Sequence, residues 1–314
     1  MQQKTSLCTT LEAAELKEKY DGHVKRILSH REILAWILKE TVEELAGFSV
    51  EEIKGYIEPE IQVANILLQG RSSRIVGDNT ESFETGEEYI TFDLRFSIYV
   101  PCREQNESIK MLINIEAQKS FHEKYSLVTR GIFYCARMVS TQQGTEFEDS
   151  KYDALKKVYS IWICMNVPHK VGNAITKYAL AQEKVQGVME AKKCEFDKMA
   201  LIMVCLDEES SMEERSLHHM LNTLFSNKID LEKKIEILEN MYGMKMSKEM
   251  QEEVREMCNW SEAFEERGIQ QGIQACVLIC QKFGISKETA INEVMEKFSK
   301  DFFEASEAVD LYWV

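Results

Sequence analysis

Two stretches in which apolar and polar residues alternate, separated by a short polar connection, predict a β-hairpin in the first half of the chain. The first stretch runs from Glu88 to Val100 and the second from Met111 to Gln118. Because the side chains of a strand point alternately to its two faces, each strand has an apolar face for the core and a polar face. The apolar faces carry Phe92, Leu94, Phe96 and Ile98, then Ile113, Ile115 and Ala117, and the polar faces carry Thr91, Asp93, Arg95 and Ser97, then Asn114, Glu116 and Gln118.

The connection between the two strands indicates which residues face each other. It reads PCREQNES and opens with Pro101, which suits a hairpin turn. Placing Asp93 opposite Glu116 puts the centre of the turn between Glu104 and Gln105, in the middle of the connection. Directly paired side chains stand about 5 Å apart at Cβ, so the two carboxylates are predicted to converge, exposed and outside the core.

Two carboxylates this close repel each other unless one is protonated or a cation bridges them. A hard ion with oxygen ligands, such as Mg²⁺, removes this repulsion when it binds both carboxylates. Such an ion also activates water and neutralises charge on a phosphate. Gln118 shares the face of Glu116, where its amide is placed to orient the attacking water or the scissile phosphate, whereas Lys119 falls on the other face. The alternative that spacing leaves open is an ordinary solvent-facing sheet with incidental acids.

The rest of the chain predicts an α/β domain followed by helices, with a mixed sheet of about five strands. Ser29 and Glu32 form a capping box that begins a helix closed by Gly47, and a second box pairs Ser49 with Glu52. The further predicted elements are strands between about Glu60 and Ser120, a helix from Glu123 to Gln143, buried strands from Val158 to Val167 and from Lys198 to Asp207, and helices thereafter.

The charge of the chain is unevenly distributed. The net charge of -15 would argue against a nucleic-acid partner if it were spread evenly. Residues 119–184, however, carry 10 Lys and Arg against 6 Asp and Glu, while the segments on either side are acidic. This basic segment follows the Glu116 strand directly and is a candidate anion-binding surface, with a chance surplus of solvated lysines as the alternative.

Other features indicate a cytoplasmic protein with no membrane segment. The chain lacks any apolar run of about 18 residues, and its N-terminus lacks the basic start and apolar block of a secretory signal. Its nine cysteines are scattered, with an odd total and no CxxC pair, as expected of free thiols. Cys276 and Cys280 lack a further ligand at zinc-like spacing. The absence of HExxH and GxxxxGK[ST] argues against a zinc enzyme or a nucleotide kinase.

The order of these motifs resembles a known nuclease superfamily. An Asp on one strand, here Asp93, followed by an apolar strand INIEAQ that ends in Glu-x-Gln, is similar to the PD-(D/E)XK nucleases, and specifically to their recombination-promoting nuclease and transposase family. Residues 125–142 resemble the helix of that family with its Tyr and Arg. The opening segment YDGHVKRILSHREILAWIL is similar to the family's opening helix and places Asp21, Lys25 and Glu32 at matching positions.

The resemblance implies a restriction-endonuclease-like fold and Mg²⁺-dependent hydrolysis of DNA phosphodiester bonds, with Mn²⁺ as a second candidate ion. Asp93 and Glu116 are implied as metal ligands, and Gln118 takes the position where most of the superfamily has Lys. A neutral amide can hydrogen-bond a developing negative charge but cannot neutralise it as Lys would. Val24 stands where the family usually has Phe.

Several further residues are weaker site candidates. Arg130 and Tyr134, four residues apart on the predicted helix, share a face and are candidate phosphate contacts, with a half-buried packing role as the alternative. His122 is a candidate general base, although a lone His at a strand-to-helix junction is more often a surface residue. His218 and His219 point about 100° apart on a helix and therefore suit a joint metal site poorly.

The predicted organisation is a nuclease-like domain at residues 1–210, a helical extension at 211–265 and a C-terminal helical tail at 266–314. Gly268 and Gly272 in the tail predict close approach of another backbone, with a simple surface helix or hinge as the alternative. The C-terminal helices are also a candidate surface for homo-oligomers. The second function left open is a catalytically degenerate nuclease fold that serves as a nucleic-acid or protein interaction module.

Overall fold

The computed structural model describes residues 6–59, 62–63, 81–82, 90–102, 108–208 and 215–313. They form two compact units, one from Asp21 to Glu256 and one that combines the described residues up to Tyr20 with those from Met257 on. The predicted domain bounds at 210 and 265 stay predictions. None of the described helices is both long enough and apolar enough to cross a membrane.

The larger unit contains a mixed β-sheet flanked by helices, which confirms the predicted α/β class. Its six strands lie in the order β1-β4-β5-β6-β8-β7, where β4-β5 and β7-β8 are antiparallel and β5-β6 and β6-β8 are parallel. A separate two-stranded sheet pairs β2 with β3. The strands are β1 (Gln62–Val63), β2 (Glu81–Ser82), β3 (Ile90–Thr91), β4 (Leu94–Pro101), β5 (Ser108–Gln118), β6 (Lys157–Cys164), β7 (Ala174–Ala179) and β8 (Met199–Cys205).

The helices are α1 (Ser6–Ser29), α2 (Arg31–Thr41), α3 (Val50–Tyr56), α4 (Leu127–Ser140), α5 (Lys193–Phe196), α6 (Leu217–Phe225), α7 (Leu231–Tyr242), α8 (Lys248–Lys282), α9 (Lys287–Phe298) and α10 (Phe302–Tyr312). The predicted Ser49/Glu52 capping box is confirmed at α3. The Ser29/Glu32 box is wrong: Ser29 ends α1 and donates to the Arg26 carbonyl, while Glu32 accepts from Lys54 and from the Lys245 backbone.

The hairpin of β4 and β5 has the predicted register. Leu94 pairs with Ile115, so Asp93 comes opposite Glu116, and the turn at residues 103–107 lies outside the described residues. The predicted continuous strand over 88–100 is wrong in one respect, because Ile90–Thr91 pair in the other sheet and β4 begins only at Leu94. Phe92 therefore packs on Tyr134 of α4, with ring centroids 5.3 Å apart, on the face that was expected to be polar.

That polar face is not exposed, because α4 covers it. Leu127, Tyr134 and Met138 of α4 share an apolar cluster with side chains of the three central strands, among them Leu112, Trp162 and Met203. Asn114 and Glu116 are buried beneath this layer. The parallel part of the sheet is thus buried on both faces. Helix α4 covers one face, and the other face carries buried residues such as Ile113 and Ile161.

Helix α4 packs closely on the sheet at Gly131, where an added Cβ would stand 2.5 Å from Cδ1 of Leu201. We expect Gly131→Val to lower the free energy of unfolding by about 1–3 kcal/mol because it overpacks this contact. Gly55→Val on α3 is the matched control, since Gly55 has open space around it. Urea denaturation measures both variants, and an equal effect of the two substitutions would contradict the close α4 contact.

In the smaller unit, α9 and α10 pack with the second half of α8 through a separate apolar cluster, which includes Ile273, Val277, Val294 and Val309. An added Cβ at Gly272 would stand 2.8 Å from Cε1 of Phe298, so the missing side chain leaves room for the Phe298 ring to pack against α8. The predicted approach of another backbone is therefore wrong for Gly272, and around Gly268 the space is open. The homo-oligomer stays a prediction.

Candidate functional site

Asp93 and Glu116 meet where β4 begins, and each is held by the backbone of the other segment. The backbone N–H of Asp93 donates to Oε1 of Glu116 at 3.1 Å, and the backbone N–H of Ala117 donates to Oδ2 of Asp93 at 3.0 Å. These two side-chain bonds continue the hairpin pairing past the last ladder pair of Leu94 with Ile115. They explain how the chain can leave the strand at Asp93 without leaving buried N–H groups unpaired.

Glu116 is 4% exposed, so the expectation of two exposed carboxylates is wrong for this residue. Burial raises the pKa of the Glu116 carboxyl well above its usual range, and the neighbouring negative charge of Asp93 adds to the rise. The side chain of Asn114 and the positive charge of Arg130 act in the opposite direction. The raised pKa keeps Glu116 protonated to a higher pH than an exposed glutamate, and a bound cation would offset the cost of its charge.

Asp93 is half-buried and bound to a lysine of the first helix. Nζ of Lys25 on α1 lies 2.8 Å from Oδ1 of Asp93. Of the other two opening-helix candidates, Glu32 accepts hydrogen bonds from the Lys54 side chain and the Lys245 backbone N–H. Asp21 is half-buried and lies one helical turn before Lys25. The structure thus brings Lys25 to the acid pair.

Gln118 points toward the loop that follows β5. Its Nε2 donates to the Ser120 carbonyl at 2.7 Å and to Oε1 of Glu123 at 3.1 Å. Both hydrogens of the amide are thereby engaged. The assigned role of Gln118 in catalysis stays a prediction.

Arg130 and Tyr134 form an aromatic and cationic layer over the acid pair. Nη2 of Arg130 donates to the Tyr134 hydroxyl at 2.9 Å and Nη1 donates to the Tyr125 hydroxyl at 3.0 Å. The guanidinium also stacks 5.2 Å from the ring centroid of Trp162, the residue that pairs with Glu116 across β5 and β6. Arg130 is thus half-buried above the strand that carries Glu116, with its charge acting on that carboxyl.

The remaining candidates are three histidines and two cysteines near the C-terminus. His122 makes an edge contact with Phe121, and His219 stacks on Tyr242 and hydrogen-bonds its hydroxyl at 2.7 Å. His218 is half-buried, and Cys276 and Cys280 belong to the smaller unit. Within the described part of the chain, no three His, Cys, Asp or Glu side chains group together as metal ligands.

The sequence missed the buried polar partners of the site. The amide of Asn114 donates to Oγ of Ser160 at 3.1 Å, and the indole N–H of Trp162 donates to the same oxygen at 2.9 Å. Ser160 lies on β6 directly beside Asn114. A Ser within the apolar run VYSIWIC was the available signal, because a hydroxyl in a buried strand requires a partner.

Neither protein-family models, curated proteins nor solved structures contain a match to this chain. The functional argument accordingly depends on the geometry and chemistry of the site.

Proposed function

We propose that this protein is a Mg²⁺-dependent DNA endonuclease, a hydrolase of phosphodiester bonds with a restriction-endonuclease-like fold. The observation that carries the proposal is the position of Asp93 opposite Glu116, where each carboxylate accepts a backbone N–H of the other segment. The order of the motifs, from Asp93 to the Glu-x-Gln strand and then helix α4, agrees with the resemblance to the recombination-promoting nuclease and transposase family.

The donor chemistry of the pair fits a hard divalent cation. Asp93 and Glu116 would hold the ion, because a buried carboxyl beside a second carboxyl is costly to ionise unless positive charge compensates it. A Mg²⁺ or Mn²⁺ ion in this position would supply an activated water and stabilise negative charge on the phosphate. Two carboxylates leave the remaining coordination positions to water and substrate, as is usual for Mg²⁺.

The surroundings of the pair suit a phosphate ligand. Arg130 has a fixed orientation through Tyr125, Tyr134 and Trp162, and a guanidinium pre-oriented in this way loses little entropy on binding a phosphate. The basic segment 119–184 begins directly after Gln118. It supports DNA as the partner despite the acidic chain, because the local field governs the approach of a polyanion.

A second function is favoured by one observation, the ion pair of Lys25 with Asp93. The Lys25 ammonium already offsets the charge of Asp93, and burial disfavours ionisation of Glu116, so the two acids can lie together without a metal ion. A catalytically degenerate nuclease fold that binds nucleic acid or protein would keep such a pair. The resemblance and the fixed Arg130 support the active enzyme instead.

Incubation of the purified chain with supercoiled plasmid, in Mg²⁺ and separately in EDTA, distinguishes these two functions. The endonuclease converts the plasmid to nicked and linear forms in Mg²⁺ alone. Retention of the plasmid in a gel-shift assay without any cleavage, in Mg²⁺ or Mn²⁺, would favour the interaction module. A role in recombination or movement of a mobile element is proposed from the resemblance and would be tested only after cleavage is established.

Substitutions of Gln118 are expected to change the cleavage rate in a defined order. Gln118→Glu is the most damaging, because it places a third negative charge beside Glu116 and opposite Glu123. Gln118→Ala lowers the rate by roughly 10²-fold, because we expect the amide to exchange its bond with Glu123 for one with the phosphate when DNA binds. Gln118→Lys is tolerated, since an ammonium can pair with Glu123 and face the phosphate. Cleavage rates at saturating Mg²⁺ give the order, and full activity of Gln118→Glu would show that this side chain does not face the substrate.

A further inference from the structure

Hydrolysis of a phosphodiester builds negative charge on the phosphate, and position 118 has no cation to stabilise it. Gln118 is neutral, and its two amide hydrogens are given to Ser120 and Glu123. A site built on Asp93 and Glu116 therefore lacks the positive charge that a Lys two residues after Glu116 would provide. Any such charge has to come from another element of the fold.

Lys25 brings a positive charge to the site from α1. Its neighbours Val24, Ile27 and Leu28 are buried, which fixes the helix at this point, while the Lys25 side chain remains 21% exposed. Its ammonium reaches Oδ1 of Asp93 at 2.8 Å. A long side chain with an anchored base and an accessible tip can move its charge by a few ångströms without disturbing the helix.

The two oxygens of Asp93 have different partners. Oδ2 accepts the Ala117 backbone N–H, which belongs to the hairpin, and Oδ1 faces Lys25. A metal ion would therefore take Oδ1, the oxygen that the ammonium now contacts. A metal ion bound at Oδ1 would displace the Lys25 ammonium, which would then be available to contact a phosphate at the same site.

We propose that Lys25 is a substrate-contacting residue of this site. Its ammonium pairs with Oδ1 of Asp93 in the metal-free protein and moves to contact a non-bridging phosphate oxygen when metal and DNA bind. The inference rests on the proposed nuclease function and deepens it. In addition to Arg130 of α4, it assigns a second cation to a helix that precedes the two acid-bearing segments in sequence. The alternative is a purely structural ion pair that ties α1 to the sheet.

Lys25→Met tests the inference, because Met retains most of the apolar stem and removes the charge. Calorimetric titration of Mn²⁺ into the full chain without DNA is expected to show binding tighter by on the order of fivefold, since a competing partly exposed ion pair is gone. The nicking rate at saturating Mg²⁺ is expected to fall by roughly 10²-fold. The double variant Lys25→Met/Gln118→Lys is expected to recover part of this rate.

Lys110→Met is the matched control. Lys110 pairs with Glu146 with side-chain exposures of 25% and 15%, against 21% and 16% for Lys25 and Asp93, and it lies toward the other end of β5. This control is expected to leave both metal affinity and nicking unchanged. Thermal denaturation in EDTA verifies that both variants fold.

Opposite changes in metal affinity and in nicking are the signature of the proposed role, since a structural ion pair would not produce them. Weaker Mn²⁺ binding by Lys25→Met would overturn the inference in favour of a structural pair. Tighter binding with undiminished nicking would overturn the phosphate contact. In both cases cleavage by the parent preserves the proposed function, whereas a parent that neither binds Mn²⁺ nor nicks DNA overturns both proposals.

Discussion

Asp93→Asn and Glu116→Gln are each expected to lower the rate of Mg²⁺-dependent nicking by at least about 10³-fold. Each substitution removes a carboxyl group that can ionise and bind a cation, while keeping the size of the side chain and an oxygen that can accept the backbone N–H of the opposite segment. Loss of metal-assisted chemistry costs several kcal/mol of transition-state stabilisation. Alanine variants are expected to lose activity equally, but at the buried Glu116 they would also leave a cavity.

Glu146→Gln is the matched control for these two variants. Glu146 is another partly buried acid in an ion pair, with a side-chain exposure of 15% against 16% for Asp93, and its partner Lys110 lies on the same strand β5 as Glu116. It is expected to nick plasmid at the rate of the parent. Full activity of both Asp93→Asn and Glu116→Gln would show that the assigned site is wrong.

Glu116→Gln is also expected to stabilise the metal-free protein at neutral and alkaline pH. Because burial and Asp93 raise the pKa of folded Glu116 above 4.5, its ordinary value, the unfolded chain releases this proton at lower pH than the folded chain. The contribution of Glu116 to stability is therefore greatest below pH 4.5 and declines as the pH rises from there through the folded pKa. An uncharged amide removes this decline.

Thermal denaturation in EDTA between pH 4.5 and pH 8.5 is the measurement for this effect. The melting temperature of Glu116→Gln is expected to exceed that of the parent by at least about 3 °C at the alkaline end, with a smaller difference at the acidic end. Saturating Mg²⁺ is expected to raise the melting temperature of the parent and not that of the variant, since binding to the folded state stabilises it. A variant less stable than the parent at every pH would contradict the raised pKa of the buried Glu116 carboxyl.

The hairpin register could be predicted from the sequence because two local constraints agree. The alternation of β4 and β5 fixes which residues share a face, and the polar connection at Pro101 fixes where the chain reverses. The break before Leu94 could not be predicted in the same way. It depends on the side chains of Asp93 and Glu116 replacing backbone pairing, and a sequence pattern does not show which carboxyl oxygen meets which N–H.

The burial of Glu116 escaped prediction for a tertiary reason. A polar face on a strand predicts exposure to solvent, yet α4 covers this face and brings the positive charge of Arg130 close enough to act on the Glu116 carboxyl. The Ser29/Glu32 box failed similarly, since Glu32 binds Lys54 of α3 in preference to the start of its own helix. The contact of Lys25 with Asp93 joins distant segments, and no local spacing encodes it.

The central claim is that Asp93 and Glu116 together bind the divalent ion that cleaves DNA. Calorimetric titration of Mn²⁺ into the parent and into Asp93→Asn, at a pH near 8 and without DNA, tests it most directly. We expect saturable binding of Mn²⁺ by the parent and its loss in Asp93→Asn. Equal Mn²⁺ binding by the two proteins, or none by the parent, would contradict it.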